Sequence, residues 1–222
     1  DLSDDQILLL EKYVSLLIEW NTRMNLISRK DVENIWESHI AHSLAPLFKI
    51  DLPERATLLD LGSGGGLPGI PWRVVLPSVS VTMIDSTQKK VNAVQSMLNE
   101  LGLSNTSAVW GRAEELGSSV QFHGKFDYVV ARAVGPLHEL ANLALPFLTR
   151  RHVASTTGKR YAPGVPARLA FKGGEIDEEI NRTQRMKRVQ SIEMLSLNFD
   201  GSDQTVLTDK KLAIVKFAKE AP

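Results

Sequence analysis

The chain contains no cysteine. Disulfides, cysteine-ligated zinc, iron–sulfur clusters and thiol nucleophiles are therefore excluded, and a reducing cytosol suits it. No stretch approaches the roughly 18 uninterrupted apolar residues of a membrane helix. The start, DLSDDQILLLEKYV, is acidic first and apolar second, the reverse of a secretory signal. An excess of positive charge is also lacking: 26 Lys and Arg balance 26 Asp and Glu. That excludes a globally basic nucleic-acid binder and leaves only local basic patches. Internal repeats and low-complexity tracts are missing as well. What remains is the composition of an ordinary folded chain, 222 residues with 43% hydrophobic and 23% charged. At about 150 residues per domain this is one domain, or one domain with an extension.

Along the chain the hydrophobic period changes. Ser3 followed by Gln6 is a capping-box pattern, and Leu10, Val14, Leu17 and Ile18 then recur at helical spacing. A second helix is expected from about Asp31 to Leu44, with Ile35, Trp36, Ile40 and Leu44 inward; Pro46 and Pro53 break the pattern. Residues 1–52 thus read as a helical cap and 53–222 as the main domain. There, strand-like runs at 56–62, 80–85, 107–110, 126–134 and 167–173 alternate with helical ones. Two late β-like runs near 189–197 and 211–218 suggest an antiparallel hairpin at one edge. The pattern predicts an α/β fold, a doubly wound, mostly parallel seven-stranded sheet with an N-terminal helical cap.

Between the first strand and the next helix lies GSGGGLPG, residues 62–69. In a doubly wound sheet a nucleotide-like ligand sits at such a turn. Two registers are possible: Gly62, Gly64 and Gly66 give G-x-G-x-G, while Gly64, Gly66 and Gly69 give the dinucleotide pattern. The first is preferred. Asp60 precedes it and suits a cationic ligand such as S-adenosylmethionine, which has no pyrophosphate, and Pro68 removes a backbone donor from the second register. Asp85, at the end of the second strand, can accept ribose hydroxyls. In GRAEEL, Ala113 and Glu114 follow the third strand, where an adenine edge would be read. Arg132 ends the fourth strand and would project over the glycine loop.

These motifs in order, with LPGIP after the glycine loop, Asp85–Ser86, RAEEL, VVARAV and FKG at 171–173, resemble the glucose-inhibited division protein B family. Its members are RsmG-type guanine-N7 methyltransferases of small-subunit (16S) ribosomal RNA. Trp20, Asn21, Met24, Asn25 and Leu26 look like the family's W-N…N-L segment, and His39 and Ser43 match its next helix. The family often has Asp where this chain has His42, and a basic residue where it has Ser38. The resemblance implies a class I, Rossmann-like, S-adenosylmethionine-dependent methyltransferase. It implies donor-binding roles for Gly62, Gly64, Leu67, Asp85, Ser86, Ala113, Glu114 and Arg132.

Guanine N7 is an unprotonated in-plane lone pair at neutral pH, so attack on a sulfonium methyl needs alignment rather than a base. This agrees with the lack of a Ser-His-Asp arrangement or an HExxH motif; no metal is expected, and Trp20, Trp36, Trp72 and Trp110 are read as packing. Arg132 is expected to meet donor or target base, and Lys172 a phosphate. No acid occurs between Glu139 and Glu175, whereas Arg150, Arg151, Lys159, Arg160, Arg168 and Lys172 do. This loop is expected near the sheet's carboxyl edge, where it would suit RNA phosphates. The partner is then 16S rRNA, presented in a precursor small ribosomal subunit to a cytoplasmic monomer. Two alternatives stand beside this reading: a nicotinamide-dependent oxidoreductase using the second glycine register, and a non-catalytic RNA-binding or ribosome-assembly protein on the same fold.

Overall fold

In the computed structural model of the protein the described residues are 2–154, 156–157, 160–198 and 207–218. Helix α1 spans Asp4–Arg23. Ser3 Oγ accepts from the Gln6 N–H at 3.3 Å and Gln6 Oε1 accepts from the Ser3 N–H at 3.0 Å, both halves of the capping box. The second helical stretch is not the single helix expected. A 3-10 turn covers Arg29–Asp31, a π-helix covers Trp36–Ala41, and an α-helical turn follows over His42–Leu44. Ile35, Ile40 and Leu44 are buried as expected, but Trp36 is 44% exposed. The π-helix bonds i to i+5, so residues four apart no longer share a face.

Seven strands form one sheet: β1 Thr57–Leu61, β2 Ser80–Asp85, β3 Thr106–Trp110, β4 Tyr128–Arg132, β5 Ala167–Gly173, β6 Val189–Ser196 and β7 Lys210–Phe217. Their order is β3-β2-β1-β4-β5-β7-β6. The first five run parallel, and β7 pairs antiparallel with both β5 and β6. The late hairpin is therefore present, with its second strand inside the sheet and its first at the edge. Helices α2 (Gly69–Val75), α3 (Gln88–Leu101), α4 (Ala113–Leu116), α5 (Leu137–Ala144) and α6 (Asp177–Gln184) complete the fold. Helix α6 is not among the helices expected from the sequence, because DEEINRTQ has almost no apolar stripe and buries only Thr183. Among the described residues no helix is long and apolar enough to cross a membrane.

The N-terminal helices share one hydrophobic cluster with the sheet: Leu10, Tyr13, Leu17, Ile40 and Leu44 pack with Leu58, Met83, Val130 and Leu169. Polar ties reinforce it. The Trp72 indole N–H donates to the Ser43 carbonyl at 2.6 Å, and Gln6 Nε2 donates to the carbonyls of Val74 and Val75. The other face of the sheet packs a second cluster, including Leu59, Leu61, Val129, Leu140 and Phe147.

Most of the basic segment lies at the opposite end of the sheet from the one expected; only Lys172, near the end of β5, stands at the carboxyl edge. Helix α5 carries the chain back from the carboxyl end of β4, so the residues that follow emerge at the amino ends of the strands. Phe126 bridges to Leu148, and the Thr149 N–H donates to the Phe126 carbonyl at 2.8 Å, just before β4 begins. Arg151 pairs with Asp127 at 2.8 Å, and Arg160 with Asp51 at 2.5 Å. Arg168 is wholly buried and donates to the Leu137 carbonyl at 3.0 Å. Lys159 lies outside the described residues.

Candidate active site

The carboxyl ends of the parallel strands carry nearly every residue singled out in the sequence. β1 ends in the glycine loop, where Gly62 and Gly64 have φ of +74° and +57°, a region that side chains other than glycine rarely enter. A Cβ on Gly62 would lie 2.7 Å from Val134 Cγ2, whereas one on Gly64 would meet nothing nearer than the Leu26 carbonyl at 3.9 Å. The loop is thus packed from beneath and open at Gly64. Leu67 belongs to the packed side: it is buried, with its N–H donating to the Ser63 carbonyl at 3.0 Å.

Asp85 fastens the loop to β2. Its Oδ2 accepts from the Gly64 N–H at 3.0 Å and its Oδ1 from the Thr87 N–H at 2.8 Å. Ser86 follows, exposed, its carbonyl accepting the Trp110 indole N–H at 3.1 Å. After β3, Gly111 turns the chain and its N–H donates to the Asp85 carbonyl at 3.2 Å. That places Ala113, half-buried, and Glu114, exposed, in the first turn of α4.

Beneath the loop, Asp60 is wholly buried. Its Oδ2 accepts from the Gly69 N–H at 2.9 Å, while Oδ1 is buried without a partner. Burial pushes its carboxyl up to about 7, against the pull of the Gly69 N–H and the Arg132 charge. A carboxylate therefore already holds the amino end of α2, where a dinucleotide's pyrophosphate would have to sit. The same arrangement fits S-adenosylmethionine, which has no pyrophosphate to place there: the loop is open at Gly64, Asp85 stands at the strand edge, and beneath the loop lies a buried carboxyl with one oxygen unpartnered. Tyr13, reaching in from α1, donates its hydroxyl to the Gly65 carbonyl at 2.9 Å, and burial raises its pKa.

On the β4–β5 side, Arg132 and Lys172 line a cavity of about 410 Å³ together with His39, His42, Phe171 and Lys210. The Arg132 guanidinium donates to His39 Nδ1 at 2.8 Å and reaches the carbonyls of Ser38 and His39 at 3.4 Å. Because Arg132 can only donate, His39 Nδ1 accepts and the ring proton sits on Nε2, 3.4 Å from Asp31 Oδ2. That last contact is electrostatic, too loose for a hydrogen bond. Burial, followed by the Arg132 charge, lowers His39 to about 4 and His42 to about 3, so both are neutral at physiological pH. Burial also lowers the Arg132 pKa, opposed by Tyr13, Asp60 and Asp31. The Lys172 ammonium donates to Glu179 Oε2 at 2.6 Å and to the Gly135 carbonyl at 2.9 Å. Burial would raise Glu179, but the bonds from Lys172 and the Leu137 N–H outweigh it and hold the carboxyl below its usual range.

The structure thus brings the sequence-derived residues to one edge in two groups: Gly62, Gly64, Asp85, Ser86, Ala113 and Glu114 on one side, Arg132 and Lys172 on the other. Tyr13 is not among the residues that the sequence singles out; His39 is named there as a match to the family's next helix, but its contacts with Arg132 and Asp31 are not foreseen. Tyr13 beside the Leu10–Val14–Leu17 stripe is the one available signal, a polar tip at an apolar position.

Comparison with known proteins agrees with this geometry. Residues 6–208 match the family described as rRNA small subunit methyltransferase G. A ribosomal RNA small subunit methyltransferase G from Desulforamulus reducens is 34% identical over 226 residues, spanning 100% of this chain and 86% of its own. One from Lactococcus lactis subsp. lactis is also 34% identical, over 83% of this chain and 72% of its own. Among solved structures, M. jannaschii TYW2 in complex with AdoMet superposes with a TM-score of 0.57 at 12% identity, over 90% of this chain and 80% of that one, a likeness of fold. With the glycine loop, the strand-end carboxylate and the cation-lined cavity on one edge of that fold, the chain belongs to the rRNA small subunit methyltransferase G family.

Proposed function

We propose that the chain transfers a methyl group from S-adenosylmethionine to N7 of a guanine in 16S ribosomal RNA. The 53–222 unit is read as the methyltransferase domain and 1–52 as its cap. Gly62, Gly64, Asp85, Ser86, Ala113 and Glu114 hold the donor, and Leu67, expected among them, supports the loop from its packed side. Arg132 stands between donor and target, and Lys172, tied to Glu179, borders the target's side. The bound donor supplies an electrophilic methyl on a sulfonium. Since N7 carries its lone pair unprotonated, the chain's residues have to align the two partners and exclude water. The neutral His39 keeps the Arg132 guanidinium turned toward the cavity without supplying a counter-charge. The enzyme is read as a cytoplasmic monomer acting on a precursor small subunit.

The observation that carries the reading is the pairing of an open Gly64 loop, bound to Asp85 at 3.0 Å, with an Arg132 that has no carboxylate in ion-pair contact among the described residues. The test is methyl transfer from labelled donor to small subunits lacking the modification, followed by reduction and aniline cleavage, which breaks RNA at N7-methylguanosine. One cleavage site is expected, with weaker labelling of protein-free 16S rRNA. Donor binding without any transfer would establish the non-catalytic alternative instead.

A further inference from the structure

We infer that Trp110 forms a wall of the site for the donor's adenine ring: its indole stands in register beside Asp85, held by the Ser86 carbonyl, with a ring face left open. The inference rests on the donor reading above. β3 ends on Trp110, whose register partner on β2 is Asp85. Register partners on neighbouring parallel strands point to the same side of the sheet, so the indole and the carboxylate stand side by side. The hydrogen bond from Nε1 to the Ser86 carbonyl, 3.1 Å, satisfies the ring's one polar group and fixes where the ring lies.

The other tryptophans lie in the N-terminal helices and in α2. Trp72 is wholly buried with its N–H on Ser43, Trp20 lies under the Arg23 guanidinium at 5.1 Å, and Trp36 sits on the π-helix. Trp110 is 56% exposed, and among the described residues it makes no ring–ring or cation–π contact. A flat apolar surface, anchored by its polar edge and left open, is what a purine stacks upon. Gly111, at φ +158°, then turns the chain so that Ala113 and Glu114 return to the same edge, where a purine's polar edge would be met. The adenine would thus be bounded by Trp110 at its face and Glu114 at its rim, with Asp85 at the sugar.

The test titrates wild type, Trp110→Phe and Trp110→Ala with S-adenosylhomocysteine, by calorimetry and by tryptophan fluorescence. In the wild type, binding is expected to change the fluorescence; in Trp110→Phe the affinity stays within about threefold but the signal disappears. Trp110→Ala, with an unchanged melting curve, is expected to bind about tenfold more weakly, the scale of one aromatic–base stack. An Ala variant that binds as tightly as wild type overturns the inference, and so does a fluorescence change that persists in Trp110→Phe. The Phe result stands even if the Ala variant folds poorly. Absence of any binding heat in the wild type is a separate outcome that sinks the donor site itself.

Discussion

At the carboxyl ends of β4 and β5 stand Arg132 and Lys172; at the amino ends of the same two strands stand Arg151 and Arg168. By composition the amino end is the more basic, yet Arg151, Arg160 and Arg168 are consumed by the fold there, as Lys172 is by Glu179 at the carboxyl end, which leaves Arg132 as the contrast. Arg151 pairs with Asp127, whose Oδ2 in turn accepts from the Thr57 N–H at 3.0 Å, tying the start of β1 to β4. Arg168 is sealed against the Leu137 carbonyl, and although burial lowers it to about 9 it stays protonated at neutral pH. Among the described residues Arg132 bonds to a neutral imidazole and two carbonyls at 3.4 Å, with the carboxylates of Asp60 and Asp31 acting on it only through space. A guanidinium already bonded to a carboxylate must break that bond to take a phosphate or a base, whereas one facing neutral acceptors over a cavity forgoes little. Local density of Lys and Arg is therefore a poor map of where a ligand binds, and the partner each cation has acquired is a better one.

The comparison can be broken most decisively at Arg132. Arg132→Ala is expected to lower the rate of methyl transfer to small subunits by about a hundredfold or more, the scale of removing one preorganised donor, with the melting temperature little changed. Turnover near wild type would remove Arg132 from the site and with it the contrast between the two ends. Next comes Arg168→Ala, which strips the Leu137 carbonyl of its buried donor and leaves a void. A destabilisation of about 3 kcal/mol in urea unfolding is expected from the void and the lost donor, with activity per folded molecule nearly intact. Unaltered stability with weakened RNA binding would reverse the assignment. Smallest of all is the effect of neutralising Arg150, Arg151 and Arg160 together. For a side chain that neutralises an RNA phosphate, its removal lowers the slope of log affinity against log salt by about 1; here the slope for subunit binding is expected to stay the same. A drop of about 3, one for each arginine, would restore the amino end as an RNA surface.

The glycine loop and Asp85 are legible in the chain because their chemistry is local. A strand, a turn needing positive φ and a helix follow one another within residues 57–75, and Asp85 closes the next strand. The capping box at Ser3 and the αL stop at Gly102, φ +65°, are readable for the same reason. Other features depend on contacts between distant segments. Tyr13 meets Gly65 and His39 meets Arg132, far apart in sequence, and no periodicity announces either pair. The basic loop can be counted in the sequence, but the end of the sheet it occupies, opposite to the one expected, follows from the direction in which α5 returns the chain. Strand β7 reads as the last member of a hairpin, yet it enters between β5 and β6, since its apolar residues Leu212, Ala213, Ile214 and Val215 are buried on both faces.

Along the chain alone, the residues dictate an alternation of strands and helices, a ligand-accepting turn after β1 and an acid at the end of β2, because backbone preference and hydrophobic period act over a few residues. Which cation faces a cavity and which is locked into an ion pair is settled when the sheet closes and brings remote segments together. A charge's free energy depends on the water stripped from it and the partner put in that water's place, and both come from residues far away in sequence.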